Sequence, residues 1–109
     1  MPSQEERRAE NESTFRDANE RIREATDRLQ APMERYPFVC ECADTRCREV
    51  VLLSLGEYER VRDEATHFIV VPGHEGDAEV ALDDTGYAVV RKQGVAGAVA
   101  RERDPRSRA

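Results

Sequence analysis

The chain has no tryptophan, and only 6% of its residues are aromatic, so few large apolar side chains are on offer for a core. Lys92 is the single lysine among 17 basic residues, the rest being arginine. A GC-rich genome accounts for that bias, with an arginine patch for phosphate or carboxylate recognition as the alternative. No apolar run approaches the ~20 residues of a membrane span, and the first residues, MPSQEERRAENES, are polar with no signal-peptide pattern. Three cysteines cannot form two disulfides, and one disulfide would leave an odd thiol. That count favours metal ligation in a reducing compartment over a disulfide framework, and so a soluble cytoplasmic protein. A net charge of -6 weighs against non-specific nucleic-acid binding.

The 109 residues make room for one domain. Hydrophobic residues reach 39% and charged ones 37%, the charge being heaviest at the two ends. Only residues 36–100 are composed to bury a core, and a unit that small often needs a metal as a staple. The expected organisation is an N-terminal amphipathic helix over 1–35, a zinc-stabilised α+β domain over 36–100, and a disordered tail over 101–109.

In the first segment Phe15, Ile22 and Leu29 recur every seven residues with Ala18 and Ala25 between them, an a/d stripe of about two heptads. Asp17 with Arg21 and Glu24 with Arg28 have the favourable i,i+4 orientation. Asn11 or Ser13 is the expected cap, and Pro32 the expected stop. Further on, Tyr36 to Cys40 reads as a strand. Residues 49–53 (EVVLL) read as a central strand buried on both faces. Ser54-Leu55-Gly56-Glu57 matches a capping box, opening a helix with Leu55, Tyr58, Val61 and Ala65 on its apolar stripe and Arg60, Arg62 and Asp63 in solvent. His67 to Val71 is a strand stopped by Pro72-Gly73. Residues 78–82 and 87–92 form a hairpin across Asp83-Asp84-Thr85-Gly86, and residues 95–100 a last strand or short helix. This order predicts an α+β fold: a long N-terminal helix, then a small mostly antiparallel sheet with one short helix and a zinc knuckle.

The chemistry is concentrated in Cys40-Glu41-Cys42 and Cys47. Alternation along a strand puts Cys40 and Cys42 on one face and Glu41 on the other. The four residues that follow, with Asp44 as turn former, bring Cys47 back towards them. Amides of such a turn point inward at the sulfurs. Three converging thiolates suit one structural Zn²⁺, which takes a tetrahedral set of sulfur and nitrogen ligands. His74, in the glycine-flanked loop Pro72-Gly73-His74-Glu75-Gly76, is the favoured fourth ligand. His67, a carboxylate such as Asp44, and water are the alternatives. Arg46 and Arg48 would offset the negative charge of a Cys₃His centre. No nucleophile elbow or phosphate loop is present, and Glu75 is the one residue placed to act as a general base.

The segments around Cys40, Cys42, Cys47, residues 53–62 (LSLGEYERVR), residues 71–75 (VPGHE) and residues 86–90 (GYAVV), with residues 19–22 (NERI) before them, resemble a group of short uncharacterised proteins of GC-rich actinobacteria. The resemblance implies a bacterial source and the C-x-C…C…G-H arrangement, and no activity. The functional expectation is a non-enzymatic zinc-binding module, a protein-interaction or regulatory protein, docking an unknown protein partner through the helix bearing Phe15, Ile22 and Leu29, with self-association as a variant. A thiol/zinc redox sensor and a small zinc- or cysteine-dependent hydrolase are the alternatives.

Overall fold

Ser3 opens the first element. Its hydroxyl accepts the Glu6 amide at 3.0 Å while the Glu6 carboxylate accepts the Ser3 amide at 3.4 Å, a capping box that starts helix α1, Gln4–Leu29. The helix therefore begins well before Asn11 and Ser13, which lie in its interior rather than at its cap. The computed structural model describes residues 3–29, 33–84 and 86–107, without the side chains of 29 and 107. The Pro32 stop, Thr85 in the hairpin turn, the Leu29 side chain and the last two residues lie outside that set.

The rest is α+β, with antiparallel sheets. Strand β1 (Tyr36–Val39) pairs with β2 (Val50–Leu53), and a second sheet has the order β3 (His67–Val70), β5 (Tyr87–Arg91), β4 (Glu79–Asp84). Helix α2, Leu55–Arg62, begins at the Ser54–Glu57 capping box read from the sequence. Residues 95–100 are helical, within α3, Gly94–Glu102. The hairpin closes where Asp84 pairs with Tyr87, with Gly86 at φ 97° in the turn.

Two sheets replace the single one expected, and the doubly buried strands are different ones. β2 alternates, with Val51 and Leu53 inward and Val50 and Leu52 more than half exposed. The strands with apolar residues buried on both faces are β3 and β5. On one face, Ile69, Tyr87 and Val89 meet Tyr36, Phe38, Val51, Leu53, Tyr58 and Val61, with Phe38 and Tyr58 stacked at 4.3 Å. On the other, Phe68, Val70, Ala88 and Val90 pack against Cys40, Cys42 and Ala100.

Helix α1 crosses the body on a polar face. Phe15 and Ala18 are half-buried and Ile22 touches the core, but the deepest residues are Ala9, Glu12, Ser13, Arg16 and Asn19. Arg16 lies over the Phe68 ring at 4.8 Å and donates to the Ala65 and Ala100 carbonyls at 2.7 and 2.9 Å. Among the described residues, the i,i+4 ion pair on α1 is Arg23–Asp27, while Asp17 faces Arg103. The chain past Arg101 is not a bare solvated tail. α3 runs to Glu102, a 3₁₀ turn spans Pro105–Ser107, and Arg106 pairs with Glu20 and Glu59. Arginine supplied the packing that an apolar count does not register.

Candidate metal centre

The loop joining β1 to β2 carries the cysteines. It leaves the ribbon at Cys40, whose amide still donates to the Glu49 carbonyl at 3.2 Å, and the Glu41 amide then reaches the Ile69 carbonyl at 2.8 Å. This pins the C-x-C segment beside β3. The Asp44 carboxylate accepts the Arg46 amide at 2.9 Å and its carbonyl accepts the Cys47 amide at 3.1 Å, closing the turn that returns Cys47. The second loop follows β3. Pro72-Gly73 occupies a tight turn closed by the His74 amide on the Val71 carbonyl at 2.9 Å, with Gly73 at φ 99°, the backbone that favours glycine after proline.

The two loops bring Cys40, Cys42, Cys47 and His74 together, with their ligand atoms all within 4.8 Å of one another. His74 Nδ1 is 3.6 Å from Cys40 Sγ and 3.7 Å from Cys47 Sγ. Zinc bonds of about 2.3 Å to sulfur and 2.0–2.1 Å to nitrogen, at a tetrahedral angle, place those two atoms about 3.6 Å apart. The two nitrogen–sulfur distances thus match edges of a zinc tetrahedron, and the remaining donor atoms lie within 4.8 Å. His67 is not in the group; it heads β3 opposite Arg91. Asp44 is also outside it, engaged in the turn.

The surroundings orient the donors. The Val71 amide points at Cys40 Sγ at 3.3 Å, and the amides of Cys42 and Asp44 hydrogen-bond the sulfurs of Cys40 and Cys42. His74 Nε2 meets the Glu49 carboxylate at 2.9 Å, the arrangement that fixes a ligating imidazole with its other nitrogen free for a metal. Glu49 was not singled out in the sequence; its position one residue before a strand gave no sign of a partner in a distant loop. Burial pushes the Cys40 thiol up to about 12 and raises Cys42 as well. Protein groups alone therefore keep these sulfurs protonated, and a bound cation is what would release their protons. Arg46 is turned to Asp44, and Arg48 donates to the Thr45 and Cys47 carbonyls at the rim. Glu75 accepts the Gly73 amide with both oxygens, at 2.9 and 3.0 Å, which ties it to its own loop. A cleft of about 290 Å³ beside the cluster is lined by Cys42, His74, Arg8, Glu12 and Lys92, among others.

Behind the knuckle lies a network that the sequence reading missed. Glu41 is fully buried, and its carboxylate accepts from Arg62 at 2.7 and 3.0 Å, from Asn19 Nδ2 at 2.7 Å and from the Ile69 amide at 2.9 Å. Arg62, expected in solvent, is 5% exposed. Asn19 also donates to the Val39 carbonyl and accepts the Val39 amide, both at 2.8 Å.

No protein-family model, no curated protein and no solved structure matches this chain. Among the described residues, no helix is long and apolar enough to cross a membrane.

Proposed function

We propose that the protein is a small non-enzymatic zinc module in which one structural Zn²⁺ on Cys40, Cys42, Cys47 and His74 fastens the β1–β2 loop to the loop after β3. The spacing of His74 Nδ1 to two sulfurs at tetrahedral-edge distance carries this reading. Four protein ligands fill a zinc coordination sphere and leave no position for a substrate or activated water, and Glu75 is bound to its loop rather than free to act as a base. The module's role is then to present a surface to another protein. Ile22 packs on the protein's own core, so the α1 stripe offers less free apolar surface than its heptad spacing implies.

Protein purified without chelator should carry one zinc per chain by metal-release colorimetry. Each cysteine-to-serine variant and His74→Ala should lower that occupancy, while His67→Ala should not. Sub-stoichiometric zinc in the wild type, or full occupancy in His74→Ala, would sink the assignment. A second reading, a thiol sensor, draws on the partial exposure of Cys47 beside two buried cysteines. Reversible zinc loss under mild peroxide would favour it, whereas retention would mark the site as purely structural.

A further inference from the structure

Among the described residues the two sheets have four outer edges, and three of them are blocked. β4 carries a bulge between Val80 and Leu82 and the acidic residues Glu79, Asp83 and Asp84, features that deter strand addition. The free edge of β3 is occupied by the Glu41 amide on the Ile69 carbonyl and the Glu41 carboxylate on the Ile69 amide. On β1, the Asn19 amide satisfies both backbone groups of Val39. Two residues earlier, on the same outward side, Pro37 has no N–H to offer.

β2 has no such protection. Cys40 bonds Glu49 across the ribbon, and paired residues of an antiparallel ladder alternate between bonded and non-bonded. Val51 and Leu53 therefore bond inward to β1, while the N–H and C=O groups of Val50 and Leu52 point to the open edge. Among the described residues nothing bonds them. The same two residues are 54% and 52% exposed, and the strand has no charge, proline or bulge of its own.

We propose that this edge is a homodimer interface, in which β2 of one copy pairs antiparallel with β2 of a second across a two-fold axis at Val51. In that register Val50 of one copy faces Leu52 of the other, and they exchange both N–H···O bonds. The symmetry-related pair does the same, so every open group of Val50 and Leu52 finds a partner. The face alternation is preserved, because Val51 lies opposite Val51 and both inner faces stay on one side. In the same register Arg46 and Arg48, in the loop before β2, lie beside the start of α2, with Glu57, in the other copy, while Glu49 falls opposite Leu53. The ribbon would become a four-stranded sheet with Pro37, Val39, Val50 and Leu52 of each copy continuous on its outer surface.

The test is sedimentation equilibrium on zinc-loaded full-length protein over a concentration series, with amide exchange measured at both ends. A dimer fraction that rises with concentration is expected, together with slower exchange of the Val50 and Leu52 amides and little change at Val51 and Leu53. Leu52→Lys and Val50→Lys, both at exposed positions, should abolish the dimer. Val80→Lys, on the blocked edge, should leave it intact. A monomer at every concentration up to about 1 mM, where even millimolar affinity would show, would overturn the proposal. So would a dimer that survives Leu52→Lys, or one whose protected amides lie on β4 or α1. Protection of Val50 and Leu52 only on addition of another protein's extended segment, with the chain alone monomeric, would likewise replace the second copy with a different occupant.

Discussion

Glu41 is fully buried and tied on several sides. Its neighbours on either side are cysteines of the candidate metal site, its backbone is tied to β3, and its buried carboxylate meets α1, α2 and β3 at once. A buried ion pair is seldom a net gain over a packed apolar pair, but removing one partner leaves the other charge stranded. Glu41→Ala should therefore destabilise the zinc-loaded protein by about 3–5 kcal/mol, much of the stability expected of a domain this size. Arg62→Ala should cost a similar amount, and the double variant much less than the sum of the two. Urea unfolding of the three variants at fixed zinc checks this. Additive losses would mean that the two side chains act independently, against the bidentate geometry seen here. Burial, the largest single influence, pulls the Arg62 pKa down, and the Glu41 charge and hydrogen bonds, helped by Tyr58 and Glu20, together bring it to a net rise.

Elements differed in how far they could be read ahead, and the difference follows the range of the interactions that define them. The Ser54 box, the Pro72-Gly73 turn and the Asp44 turn are each closed within four residues, so their partners are adjacent in the sequence and they were legible. The Cys₃His group spans two loops, yet it was legible too, because cysteine and histidine carry a chemistry that few other roles demand. Helix α1 was read by hydrophobic spacing, and that rule fails where a helix docks by hydrogen bonds: Arg16 and Asn19 bond carbonyls and a carboxylate from β1, the β1–β2 loop, α3 and the turn after α2. Arg106 makes the same point at the C-terminal end, where it clamps Glu20 of α1 and Glu59 of α2 at 2.6 Å each. Hydrogen bonding to Arg106 holds Glu59 below the usual carboxylate value. Burial alone would raise Glu20, but the same arginine and the Tyr58 hydroxyl bring it below as well. Carboxylates depressed in the folded state contribute stability above their ordinary pKa of about 4.5 and lose it as the pH falls through that value towards the folded one. Arg106→Gln should thus destabilise by about 1 kcal/mol, since the cluster is partly exposed and screened. The gap from wild type should be equal at pH 7 and pH 5.5, shrink below about pH 4.5, and narrow in 1 M salt at pH 7. A gap insensitive to both would show that Arg106 acts through packing on Tyr58 rather than charge.

At the scale of the whole molecule, the candidate metal site and the docking of α1 share one stretch of backbone. Val39 and Glu41, both held by Asn19, flank Cys40, and Cys42 follows directly. A cation that fixes Cys40 and Cys42 therefore fixes the groups to which α1 binds. Without it, the buried thiols stay protonated and the loop loses its tie to His74, so Glu41 is left held only by its bonds to Ile69, Arg62 and Asn19. Structural zinc contributes roughly 10 kcal/mol or more to folding in small metal-dependent domains, against a polar helix interface in which each hydrogen bond is worth about 1 kcal/mol net. Chelation should consequently release α1 as well as open the knuckle. Circular dichroism should show a large loss of helix on metal removal, and amide exchange should rise along α1 together with residues 40–47 and 72–76. Asn19→Ala should separate the two events, detaching the helix at lower denaturant while the site keeps its zinc, because the four ligands do not include α1. If chelation instead opened the loops and left α1 protected, the helix would be held by contacts that bypass the knuckle, such as Arg16 on α3, Arg106 on Glu20 and Ile22 on the core, and the coupling through Glu41 would be absent.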